Sequence, residues 1–232
     1  MTYTIATPVS LSSRADRQLI QVAEMKLPAG FYHVAVPLLS GSVYREAEVT
    51  QNGAEVLLGG PVSVYLDGRF VGRAEIPTVS RGQVFVVGLG ADAQLRTSRE
   101  LVDRTEKQQG GNREVTFKYR LVIENYGDNP VKVSLTDRVP HPANGVDIRV
   151  TLGEMTAKLS EDALYLRLQR PKGILRWDVE VPGKTLGEKA FTLEYGYSLE
   201  FDRKYALTTP GEAGSPAAAK EFDRMLRDLE KR

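Results

Sequence analysis

Apolar and polar side chains alternate with a period of two through most of the second half of the chain. Val115, Phe117, Tyr119, Leu121 and Ile123 share one parity, with Thr116, Lys118 and Arg120 between them. Successive strand residues point to opposite faces, so this pattern predicts a strand with one apolar face. Val131, Val133 and Leu135 repeat it, as do Val146, Ile148, Val150 and Leu152. Leu164, Leu166 and Leu168 follow, then Leu175, Trp177, Val179 and Val181. The last run is the longest, with Phe191, Leu193, Tyr195, Tyr197, Leu199 and Phe201 on one side.

Turn residues separate these runs. They lie at Asn125-Tyr126-Gly127-Asp128-Asn129-Pro130, Pro140-His141-Pro142, Pro171-Lys172-Gly173 and Pro182-Gly183-Lys184. Proline fixes φ and glycine permits positive φ, so such clusters end strands. Many short strands in residues 112–206 predict an immunoglobulin-like sandwich.

The first half is strand-rich but less regular. Residues 19–27, 31–37 and 43–50 are expected strands, and 84–89 an expected buried strand continued by 95–103. Val62, Val64 and Leu66 lead into Asp67-Gly68, with Phe70 and Val71 beyond. Asp-Gly between two apolar runs predicts a two-residue hairpin, because both turn residues need positive φ. Residues 105–112 are polar and glycine-rich. The favoured reading is a flexible connection between two lobes; the alternative is a long hairpin inside one continuous sandwich.

The C-terminus changes period. Residues 208–214 read as a linker, and Ser215-Pro216 as a helix start. Phe222, Met225, Leu226 and Leu229 then recur at helical spacing. An isolated helix of about 15 residues is marginal in water, so this stripe is expected to dock on its own domain or on a partner. The expected class is therefore all-β. It has two β-sandwich-like lobes, 1–111 and 112–206, the second immunoglobulin-like, and a linker with a short amphipathic helix at 207–232.

Composition narrows the function. The chain has 232 residues, with 31 basic against 30 acidic. Nucleic-acid binders draw most of their affinity from phosphate contacts, so near-neutrality argues against that class. There are no cysteines, which removes disulfides, thiolate nucleophiles and cysteine-rich zinc sites. No apolar run is long enough to span a bilayer as a helix. Residues 1–17 lack the pattern of a signal peptide, which leaves open a fragment cut from a longer, exported precursor.

Catalytic chemistry finds little support. His33 and His141 are the two histidines, one in a strand and one in a Pro-His-Pro loop. No nucleophile elbow accompanies the serines. Glu46 with Glu48, and Glu161 with Asp162, are carboxylate pairs that read as solvated charges on a strand face and a loop. Gly88-Leu89-Gly90-Ala91-Asp92 reads as a tight turn, and Gly127-Asp128-Asn129 as a hairpin turn without calcium-loop spacing. Lys118, Arg120 and Lys132 are placed on the wet faces of adjacent strands, as solvated charges or an anion patch. Trp177 alternates with core residues and is expected inside. No catalytic residue, cofactor or metal is expected.

Residues Gly60-Pro61-Val62-Ser63-Val64-Tyr65-Leu66-Asp67-Gly68-Arg69-Phe70-Val71-Gly72 resemble the signature of the C-terminal domain of mucoidy-inhibitor-A-like bacterial proteins. Val87-Gly88-Leu89-Gly90-Ala91-Asp92, Val122-Ile123-Glu124-Asn125, Leu175-Arg176-Trp177-Asp178 and Val181-Pro182-Gly183 are similar to that domain in order. Asp137-Arg138-Val139-Pro140 fits its strand-ending Asp-x-x-Pro. The resemblance implies a domain of unknown function with no catalytic residues to carry over. It also favours a bacterial periplasm or envelope setting. The leading expectation is a non-enzymatic interaction or structural module that meets a protein partner, or a second copy, through edge strands or through Phe222, Met225, Leu226 and Leu229. The alternatives are a carbohydrate-binding module, which needs a row of exposed aromatics, and a carboxylate-dependent hydrolase.

Overall fold

The computed structural model describes residues 20–142 and 147–204. The strands are β1 (Ala29–Ala35), β2 (Ser42–Thr50), β3 (Gly60–Leu66), β4 (Arg69–Ile76), β5 (Val84–Gln109), β6 (Asn112–Asn125), β7 (Val131–Arg138), β8 (Ile148–Met155), β9 (Ile174–Val181) and β10 (Phe191–Asp202). A single helical turn and a half, α1 (Ala163–Leu168), precedes β9. The fold is all-β with a short helix.

Eight strands form one sheet in the order β8-β10-β6-β5-β2-β1-β7-β9, and β3 and β4 form a separate hairpin. Within the large sheet, β1 and β7 run parallel. The 26 residues of β5 explain how one sheet makes two layers. Its first part, from Val84 to Ala91, pairs with β2; its second part, from Leu95 onward, pairs with β6. The β2 register slips between Ser42, Tyr44 and Glu46, and Gly90 takes φ +80°. A strand that bends at a bulge can leave one sheet and join the next, which makes a sandwich corner. The two ends of the strand order therefore face each other: Trp177 on β9 lies 5.4 Å, ring to ring, from Tyr195 on β10.

The expected parity holds where it matters most. Val115, Leu121, Ile123, Leu135, Trp177, Leu193, Tyr195, Tyr197, Leu199 and Phe201 are all buried in one core. Phe117, Tyr119, Tyr195 and Tyr197 stack through it, with centroids 5.3–6.3 Å apart. The Asp67-Gly68 turn also forms as expected, with φ +50° and +75°.

Several expectations fail for physical reasons. The boundary placed at 111/112 is the turn of the β5–β6 hairpin, and strands from both sides of it are hydrogen-bonded in one sheet. Leu164, Leu166 and Leu168 are not strand residues but lie on α1 and are exposed. Asp162 starts that helix by accepting a hydrogen bond from the Tyr165 N–H at 2.7 Å, an N-cap interaction. Tyr165, of the other parity, is the buried residue. Residues 20–28 form no strand. Residues 84–89 do form one, but Val84 and Val86 are exposed. The Gly88–Asp92 segment is the bend of β5 rather than a tight turn. The C-terminal stripe Phe222, Met225, Leu226 and Leu229 lies outside the described residues.

Candidate functional site

Three polar arrangements hold the sandwich in shape. The first is inside it. Asp137 on β7 is fully buried, and Arg99 on β5 reaches it from the opposite layer at 2.8 Å through Nε. Tyr195 donates its phenol proton to the same carboxylate at 2.7 Å. The Arg138 N–H donates to the other carboxylate oxygen, and the Arg99 guanidinium lies 3.5 Å over the Tyr119 ring. Burial raises the Tyr195 phenol far above its ordinary value, and Asp137 raises it further. Burial opposes the Arg99 charge, but Asp137 and Tyr195 together outweigh that and raise its pKa.

The second arrangement sits at the corner. Arg45 on β2 donates to Asp92, and His33 Nε2 on β1 lies 3.1 Å from the same oxygen. The Gln94 N–H donates to the other. Burial alone would push the Asp92 carboxyl up; these bonds outweigh it and hold the group below its ordinary value. The third locks a loop. Buried Asn125 donates to the carbonyls of Asn129 and Pro182, both at 3.0 Å, and accepts from the Gly127 N–H.

The surface is less self-sufficient. Hydrogen-bond parity in β2 settles which way β5 points. The Thr50 N–H donates to Pro28 beside β1, and the Gln51 N–H donates to Gln83 at the head of β5. In an antiparallel ladder such directions alternate by residue. Glu46 and Glu48 therefore bond toward β1, while Ala47 and Val49 bond toward β5, opposite Val87 and Phe85. The backbone groups of Val84 and Val86 point away from β2. No described strand pairs with that edge. The side chains of Val84 and Val86 are 53% and 47% exposed, on the face that also carries Tyr32, Glu46 and Glu48. Tyr32 donates to Glu46 at 2.8 Å. Burial, then the Glu46 carboxylate, raises its phenol well above the ordinary value.

Next to this edge, the β3–β4 hairpin packs on β5 at Gly90, where an added Cβ would stand 2.9 Å from Val71 Cγ1. Its far face is apolar at the tip. Tyr65 and Phe70 meet edge to face at 5.6 Å, and are 60% and 57% exposed.

The expected charge sites disperse. Lys118 and Arg120 share Glu194 on β10, at 2.7 and 2.8 Å, and hold its carboxyl below the ordinary range. Lys132 is not on an adjacent strand: β7 lies four places from β6 in the sheet. It lines a shallow cavity of about 340 Å³ with Tyr32, Ser134, Arg176 and Asp178, where Arg176 is already bonded to Asp178 at 2.9 Å. Glu46 and Asp162 are engaged as described above, one by the Tyr32 phenol and the other as a helix cap. Trp177 is buried as expected, with its indole N–H unpartnered. Among the described residues no cluster of three His, Asp or Glu is placed to hold a metal. No helix among them is long and apolar enough to cross a membrane.

The edge at Val84 and Val86 escaped sequence reasoning, because pairing is not written in parity. The buried Asp137 had a signal: it shares core parity with Val133 and Leu135.

A family profile described as a domain of unknown function (DUF4139) matches residues 1–202, and the chain belongs to that family. Among curated proteins it is similar to Protein F37C4.5 of Caenorhabditis elegans, 25% identical over 142 residues. The aligned part is 60% of this chain and 25% of that protein, so the chain spans about a quarter of the relative's length. No solved structure matches the chain.

Proposed function

We propose that this chain is a non-enzymatic protein-interaction module within a longer protein. It engages its partner through the β3–β4 hairpin and the adjoining open edge of β5. One observation carries the reading. Two large aromatics, Tyr65 and Phe70, pack on each other at the tip of a hairpin and are left mostly in water. Exposed aromatic anchors beside a strand edge that no described strand pairs are the features that protein interfaces use. The resemblance to mucoidy-inhibitor-A-like proteins adds an envelope setting to this reading; fractionation of native cells would test that part.

The carbohydrate alternative has less support. It needs aromatics in a row on one face, and Trp177, Tyr165, Tyr195 and Tyr197 are buried, while the exposed Phe31, Tyr44, Tyr65, Phe70 and Tyr126 come from five different segments. The carboxylate-hydrolase reading has less support, because Glu46 and Asp162 serve as a phenol acceptor and a helix cap.

The test is site-specific photo-crosslinking in the native organism, with a benzophenone amino acid at position 65, at position 70, and at exposed Thr151 on β8. The reading expects one and the same protein adduct from positions 65 and 70 and none from 151. No adduct at 65 and 70, or equal adducts at all three, overturns it.

A further inference from the structure

We propose that the open edge of β5 binds an extended segment of the partner protein by strand addition, and that this segment carries arginine or lysine at alternate positions. The inference rests on the interaction reading and names the partner's chemistry at that surface.

Two independent features of the edge define the occupant. The first is the backbone. The N–H and C=O groups of Val84 and Val86 point away from β2, as the ladder directions at Thr50 and Gln51 require. An extended peptide meets such groups with its own backbone and gains a place in the sheet. The second is the side-chain row. Val86 stands opposite Glu48 on β2, Val84 opposite Thr50, and Gly88 opposite Glu46. All point to the outer face. Neither Glu46 nor Glu48 forms an ion pair among the described residues; Glu46 takes only the Tyr32 phenol.

A strand added beside β5 lies two strand spacings, about 9.6 Å, from β2. A short apolar side chain on it would cover Val86 and leave Glu48 alone. An arginine or lysine does both. Its aliphatic stem lies over Val84 or Val86, and its charged head reaches the carboxylate behind. The intervening residues fall on the other face, beside half-buried Phe85 and Val87, and are apolar. The segment is thus an alternating basic and apolar strand. Gly88 marks its limit, because the register slips beyond it.

The probe is a synthetic peptide of alternating arginine and valine, titrated against the full chain by fluorescence anisotropy at low salt. Two comparison peptides accompany it. One has glutamate in place of arginine. The other is N-methylated at the residues whose N–H groups would meet the edge. Binding by the basic peptide is expected, weakened about ten-fold or more by N-methylation and by Glu48→Lys, with the acidic peptide preferring the Glu48→Lys chain. A basic peptide that does not bind, or binds equally well when N-methylated, overturns the proposal. So do Val84 and Val86 amides already protected from exchange before any peptide is added, since a segment of the chain itself would then fill the edge. Crosslinks at positions 65 and 70 that persist while the peptide fails would sink strand addition alone and leave the interaction reading standing.

Discussion

Arg99 and Asp137 face each other across the interior of the sandwich, with Nε 2.8 Å from Oδ2 and the carboxylate fully buried. They come from β5 and β7, which lie three places apart in the sheet, so their meeting reports the closure of the two layers. Removing one partner of a buried pair leaves a charge without compensation, which typically costs about 3–5 kcal/mol. Asp137→Ala is expected to destabilise the chain by that order in urea unfolding. Arg99→Met combined with Asp137→Leu is expected to recover much of the loss. An Asp137→Ala chain as stable as the parent would show that the layers close without this brace.

The open edge makes a prediction with opposite outcomes at neighbouring residues. Val86 directs its N–H away from β2 and Val87 directs it toward β2. Proline is tolerated where an edge N–H faces solvent and disruptive where it removes a ladder bond. Val86→Pro is expected to change stability by less than about 1 kcal/mol, and Val87→Pro to cost roughly 3 kcal/mol. Equal losses would mean that both sides of β5 are paired.

Acid should release the corner. The folded-state pKa of Asp92 is depressed below its ordinary 3.8. Its contribution is therefore complete above that value and is lost as pH falls through the lower folded value. Melting temperature followed from pH 6 down to 2 should drop less steeply below pH 4 for Asp92→Asn than for the parent. Parallel curves would dismiss the His33–Arg45–Asp92 cluster as a stabilising element.

Alkali should act on the core. The Tyr195 phenol is raised above its ordinary 10.0, chiefly by burial. Stability is full below pH 10 and falls above it, as the unfolded chain ionises first. Phenolate absorbance should show a fraction of tyrosines appearing only with unfolding. Smooth titration of every tyrosine near pH 10 would place Tyr195 in water.

Much of this fold is legible in the sequence. Alternation within β6, β7, β9 and β10 names the inner face correctly, and Trp177 with it, because burial on one face forces a period of two. Asp67-Gly68 is legible because few other dipeptides accept two positive φ values. Partner choice is not legible. Nothing local tells β5 to pair with β2 along one part and β6 along another. Nor does it reveal that β1 lies parallel to β7, and so the glycine-rich turn at 110–111 reads as a boundary. Leu164, Leu166 and Leu168 mislead because six residues are too few to separate the two periods; the Asp162 cap decides. Part of the site was within reach. Asp137 and Arg99 each sit on core parity, and an acid and a base so placed on different strands announce a buried pair.

The amides of β5 that are free of β2 decide whether this edge can receive a partner strand. Residue-resolved hydrogen exchange by NMR should find Phe85 and Val87 protected and Val84 and Val86 exchanging fast, and the latter two should slow when the alternating arginine–valine peptide is added. Protection spread evenly over Val84 to Val87 without peptide, or no change with it, would contradict an open edge that receives a partner strand.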